Sequence, residues 1–145
     1  MAIYHKPGGL TRAMNSVLGW FASLGLTPGQ MITLELKGRR SGKVRSTVVN
    51  SVEYGGQRYL VSPRGESEWV RNVRSAGGLA VIRHGKRAGV RLEEVPAGER
   101  AAIIQAYLKR NAMATKAHFG IEPDAPLPEF ERIAALHPVF RIAAL

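Results

Sequence analysis

Cysteine is absent from the 145 residues, which excludes a disulfide framework, a thiolate nucleophile, an iron–sulfur cluster and any cysteine-based zinc site. Such a chain suits a reducing cytosol. Acidic residues are few, 11 against 21 Lys+Arg for a net charge of +10, and that imbalance favours a polyanionic partner: nucleic acid, an anionic membrane or a phosphorylated cofactor. Aromatic residues make up 7% and none interrupts the densest basic run, so a stacking platform for nucleic acid is not evident. Long apolar runs are missing as well. The most apolar stretch, Ala13 to Leu26, is broken by Gly19 and Gly25 and falls short of the ~20 residues a spanning helix needs. The first residues, MAIYHKPGG, do not read as a signal peptide.

What is present is 45% hydrophobic residues, enough for one core, with no internal repeat and no linker-like stretch, so residues 1–145 are expected to form a single domain. The positive charge sits mainly in the first third, where residues 1–50 carry seven basic residues and one acidic residue. Its densest part runs Lys37-Gly-Arg39-Arg40-Ser-Gly-Lys43-Val-Arg45.

Hydrophobic periodicity orders the chain. Leu10, Met14, Val17, Leu18, Phe21 and Leu24 recur at helical spacing, giving an amphipathic segment over 1–26 that either covers the core or, through residues 10–26, docks peripherally at a membrane. Thr27-Pro28-Gly29 stops it. Met31 to Lys37 alternates like a half-buried strand, Val44 to Tyr54 and Gln57 to Ser62 form a hairpin around Gly55-Gly56, and Ser67 to Ala76 reads as a short helix ended by Gly77-Gly78. Leu79 to Arg83 and Lys86 to Val95 make a second hairpin. A helix is expected over 97–112, a proline-rich loop over 122–128, and a last strand over 137–142.

Two clusters carry chemistry. Gly38-Arg-Arg-Ser-Gly42-Lys43 is not a P-loop, because three residues instead of four separate its glycines and Val44 follows the lysine. It remains a glycine-flanked turn between strands that displays Arg39, Arg40, Lys43 and Arg45 beside Ser41, and clustered guanidinium groups suit phosphate or carboxylate oxygens. The plain alternative is a solvated basic turn. The second cluster, Arg64 to Asn72, places Trp69 and Asn72 three apart on one helical face, so that the Asn72 amide can serve whatever the Trp69 ring covers; a core tryptophan is the alternative. The four histidines show no metal-ligand spacing, no G-x-S-x-G elbow occurs, and an enzyme of this composition would let a cofactor supply the chemistry.

Taken together, Leu34 to Thr47, Gly56 to Glu66, Trp69 to Asn72 and His137 to Arg141 resemble the deazaflavin-dependent nitroreductase family, small actinobacterial split-barrel proteins. The resemblance implies an α+β fold: a split β-barrel like the FMN-binding barrels, with about six antiparallel strands and three or four helices packed around it. It implies coenzyme F-420, an 8-hydroxy-5-deazaflavin whose tail carries a phosphodiester and several glutamates, and hydride transfer to a quinone, nitroaromatic or other activated acceptor. Arg39, Arg40, Ser41 and Arg45 fall where the family holds the phosphate and tail. Ser46, Thr47, Val48 and Asn50 fall on the strand lining the ring, Val61, Ser62, Pro63 and Arg64 on the loop against it, and Trp69 and Asn72 on the helix closing the pocket. The family usually has proline where Val48 stands and often lysine where Arg64 stands. Ser62 and Tyr107 are the candidates for proton donation, and a monomer is expected. FMN on the same barrel, and a non-catalytic binder of nucleic acid or anionic membrane, are the competing readings.

Overall fold

The structure, a computed structural model, describes residues 31–145, apart from the side chains of 112–117. The amphipathic segment expected over 1–26 lies outside the described residues. Six strands follow the chain as β1 (Met31–Lys37), β2 (Val44–Tyr54), β3 (Gln57–Val61), β4 (Leu79–His84), β5 (Lys86–Glu94) and β6 (Val139–Ala144). They close an antiparallel barrel in the order β1-β2-β3-β6-β5-β4, the split barrel of an α+β fold. Three helices are described: α1 (Glu68–Ser75), α2 (Ala101–Phe119) and α3 (Leu127–Ile133).

The chain divides into two compact units, and β2, β5 and β6 each contribute residues to both. In the unit that includes 31–50 and 68–92, β1 pairs with β2 from Met31↔Asn50 to Lys37↔Val44 and with β4 at Thr33↔Arg83, Leu34↔Ile82 and Glu35↔Val81. Ile32, Leu34 and Leu36 are buried on one face, as the period of two requires. The other face departs from a half-buried strand, since Thr33 and Glu35 are also buried. Glu35 tolerates this because Arg87 grips its carboxylate through Nε at 3.0 Å and Nη2 at 2.7 and 2.8 Å, and a buried charge is acceptable only when so paired. After α1 the chain turns at Gly78, whose φ of +85° and close approach leave no room for a side chain: a Cβ there would lie 2.5 Å from the Leu92 carbonyl oxygen.

In the unit that includes 51–67 and 93–142, β3 pairs with β2 through the Gly55-Gly56 turn and with β6 from Tyr59↔Arg141 to Val61↔Val139. Its core joins Val52, Val61, Ile104, Tyr107, Leu108, Phe119, Phe130 and Val139. Arg100, 7% exposed, donates to the carbonyls of Val95 at 2.8 Å, Ala134 at 3.3 Å and His137 at 3.5 Å, and to the Glu94 carboxylate at 3.2 Å.

Two helical boundaries differ from the sequence expectation. The helix expected over 97–112 opens as a 3-10 turn at Ala97–Glu99 and continues as α2 to Phe119, passing a break at Asn111 (φ −120°, ψ 24°). There the Asn111 side-chain Nδ2 donates at 3.1 Å to the Tyr107 carbonyl one turn back. The proline-rich segment becomes α3 at Leu127, because Pro126 and Pro128 occupy the cap and first turn, where a missing N–H costs no helical bond.

Candidate functional site

The turn from Gly38 to Lys43 is built to hold its shape without help. The Gly38 N–H donates to the Lys43 carbonyl at 2.7 Å, the Gly42 N–H to the Gly38 carbonyl at 3.0 Å, and the Lys43 N–H to Ser41 Oγ at 3.2 Å. Gly42 takes φ +71°, a left-handed conformation natural to glycine, and a Cβ on Gly38 would crowd Ser41 Oγ at 3.1 Å and the Lys43 carbonyl at 3.2 Å. The N–H groups of Gly38, Gly42 and Lys43 are thus spent within the turn, and its side chains add cationic and hydroxyl donors. Arg40, Ser41 and Lys43 are exposed. A cavity of about 430 Å³ is lined by Lys37, residues 38–42, Ser75 and Ala76.

Arg39 faces α1. Asn72 Oδ1 accepts its backbone N–H at 3.1 Å and its Nη1 at 3.0 Å, and Nη1 also meets Glu68 Oε2 at 2.8 Å. The spacing of Trp69 and Asn72 suggested an amide aimed at a ligand. The Asn72 side-chain oxygen binds the turn to the helix, and Trp69 is half-buried on α1. The Arg39 hydrogen bond, assisted by the charges of Arg39, Arg71 and Arg40 and opposed by slight burial, holds the Glu68 carboxyl below its ordinary value of 4.5.

Along β2 the site residues alternate between faces. Ser46, Val48 and Asn50 lie opposite Glu35, Thr33 and Met31 on β1, whereas Arg45 and Thr47 lie opposite Leu36 and Leu34. Arg45 and Ser46 are exposed, and Thr47, Val48 and Asn50 half-buried.

The loop after β3 belongs to the other unit. Val61 is part of the hydrophobic core, and Pro63 and Arg64 are half-buried. Ser62 is fully buried: its N–H donates to the Pro138 carbonyl at 2.9 Å, its Oγ to the Gly65 carbonyl at 2.6 Å, and Ser67 Oγ lies 3.3 Å away. The Ser62 carbonyl accepts from His137 Nδ1 at 3.0 Å, which requires the proton on that nitrogen, and the His137 ring lies 4.4 Å from that of Phe119. Ser62 therefore spends its proton within the loop, and Tyr107, 1% exposed, is a core residue. Sequence reasoning passed over Glu68 as a partner of Arg39 and His137 as the anchor of Ser62, since neither pairing leaves a local signal.

Among the described residues, no three His, Asp or Glu side chains converge as metal ligands, and no helix is long and apolar enough to cross a membrane.

A six-stranded split barrel with a cationic turn between its first two described strands defines the architectural class. Residues 15–127 match the family model described as "F420H(2)-dependent quinone reductase", and the chain belongs to that family. It is accordingly an oxidoreductase dependent on reduced coenzyme F-420. Solved structures repeat the fold at low identity. One titled "Structure of F420-H2 Dependent Reductase (FDR-A)" is 17% identical with a TM-score of 0.50 over 79% of this chain and 94% of its own. The conserved hypothetical protein Rv2991 from Mycobacterium tuberculosis is 17% identical with a TM-score of 0.52 over 81% and 74%. A structure described as a domain-swapped dimer is 15% identical with a TM-score of 0.54 over 92% and 96%. Comparison with curated protein sequences finds no match.

The donor set fits the cofactor. A phosphodiester and carboxylates call for several cations and hydroxyls converging on one cavity, which Lys37, Arg39, Arg40 and Ser41 provide.

Proposed function

We propose that residues 1–145 act as a single oxidoreductase domain that passes a hydride from reduced coenzyme F-420 to a quinone, the acceptor in the family's description. The observation that carries the reading is the self-supporting turn whose cationic and hydroxyl side chains line the 430 Å³ cavity. In this reading Arg40, Ser41 and Arg45 hold the anionic tail, with Arg39 contributing from its fixed place against α1. Ser46, Thr47, Val48 and Asn50 belong to the strand that lines the ring, with Thr47 on the opposite face of β2 from the other three, and Trp69 and Asn72 close that side. Val61, Ser62, Pro63 and Arg64 are assigned to the ring by their match to the family motif. When bound, the deazaflavin supplies the hydride from its C5 carbon. The chain's share is orientation: fixed cations set the tail's position and thereby the ring's. The long anionic tail, which FMN lacks, accounts for the arginine excess of the turn.

Titration of the full chain with coenzyme F-420 and with FMN, followed by anaerobic turnover with a quinone and with a nitroaromatic, tests the reading. Saturable binding of the deazaflavin in preference to FMN, and faster turnover with the quinone, are expected. Preference for FMN refutes the cofactor assignment, and turnover confined to the nitroaromatic refutes the acceptor.

A further inference from the structure

We infer that Glu68 is a specificity-determining residue of the tail site: its carboxylate is a built-in competitor for Arg39 and limits how much negative charge a ligand can bring to the turn. The inference rests on the reading that the turn 38–43 receives an anionic tail.

Three observations carry it. Asn72, 7% exposed, already fixes Arg39 through both the backbone N–H and Nη1, and the turn is closed by its own hydrogen bonds, so geometry does not require a second acceptor. Glu68 adds one nevertheless. Its side chain is 62% exposed, against 19% for that of Arg39, so the carboxylate reaches in from the solvent side, where an arriving anion would also come. Among the described residues Arg39 is the one cation of the turn paired with a carboxylate, and it is also one of the side chains lining the cavity. A ligand anion that takes Arg39 must share or displace Glu68, and further anionic groups on the same ligand meet its repulsion within a Debye length. The penalty therefore grows with ligand charge and fades with salt. A purely structural bolt would behave oppositely, since loosening Arg39 would weaken every ligand of the turn.

The sign of one substitution decides between them. Glu68→Gln keeps the shape of the side chain and removes its charge. Binding to the full chain is measured by titration with three probes: coenzyme F-420 with its glutamate tail, the deazaflavin ring compound lacking phosphate and glutamates, and inorganic pyrophosphate. The variant should bind the tailed cofactor and pyrophosphate about two- to fivefold more tightly at low salt, the size a partly exposed ion pair permits. The gain should shrink at high salt and be absent for the tail-less ring. Equal or weaker binding of both anions by Glu68→Gln overturns the inference. If the tailed cofactor binds both proteins equally, the competitor role fails while the cofactor site stands. If pyrophosphate shows the gain but neither protein binds the cofactor, the competitor role holds and the cofactor assignment falls.

Discussion

Replacing Asn72 by leucine removes one oxygen that accepts two hydrogen bonds from a residue 33 positions away in sequence. The leucine keeps the branched heavy-atom skeleton but is bulkier, so the polar loss is the leading cost and crowding at this buried position adds to it. The Arg39 N–H loses its acceptor in a part-buried position, and the guanidinium loses a charge-assisted bond that water replaces in part, for a combined expectation of about 2–4 kcal/mol. At roughly 2–4 °C per kcal/mol for a chain of this size, the thermal midpoint should fall by about 5–15 °C. Asn72→Asp is the matching control. It retains both acceptor positions, so the midpoint should stay close to wild type, but it sets a second carboxylate beside Glu68 and should weaken cofactor binding. Thermal unfolding followed by circular dichroism, with titration of the same samples, separates the effects. A leucine variant that melts like wild type yet no longer binds cofactor would show that the amide faces the ligand and would refute the reasoning.

Arg40→Ala combined with Arg45→Ala should weaken coenzyme F-420 binding by ~2–4 kcal/mol, taking ~1–2 per lost charge-assisted pair, and titration at rising salt should show the difference shrinking. Arg100→Met leaves three carbonyl oxygens and the Glu94 carboxylate without their shared donor, and urea denaturation should report a loss of about 3–5 kcal/mol. Gly78→Ala combines a left-handed φ with a Cβ 2.5 Å from the Leu92 carbonyl, so the same measurement should show at least ~1–3 kcal/mol of destabilisation. The Glu68 carboxyl is held below 4.5 first by the Arg39 hydrogen bond, so its pairing stabilises the fold above about that pH and is lost as the pH falls through the lower folded value. Acid unfolding curves should therefore be shallower for Glu68→Gln than for wild type.

The strands were legible because their signals are local. The alternation of Ile32, Leu34 and Leu36 places β1, the glycine pairs at 55–56 and 77–78 mark where the chain reverses, and the family motif identifies the barrel. α3 was hidden because Pro126 and Pro128 read as loop formers, whereas the first turn of a helix has N–H groups to spare. The Asn111 break was hidden because it lies in the backbone dihedrals of a single residue, inside a segment whose hydrophobic period carries on across it. The basic turn was readable as a cluster of cations, but its internal economy was not: which arginine faces solvent and which is tied to α1 depends on pairings across 33 residues, and the burial of Glu35 depends on Arg87 across 52. Such pairings are properties of packing, and periodicity is blind to them.

The position of β6 in the barrel has a consequence for how the protein is made. β6 lies between β3 and β5, although its residues, 139–144, follow both by a long stretch of chain. As the polypeptide emerges from the ribosome, β3 and β5 are complete while the strand that joins them is still being synthesised, so each offers an unpaired edge to solvent and to neighbouring nascent chains. The helices α2 and α3 emerge in that interval. The interval ends only when the strand from Val139 to Ala144 is free to pair, which makes the synthesis of residues 95–144 the period of greatest exposure to edge-to-edge association, and makes a chain cut short before β6 a seed for it.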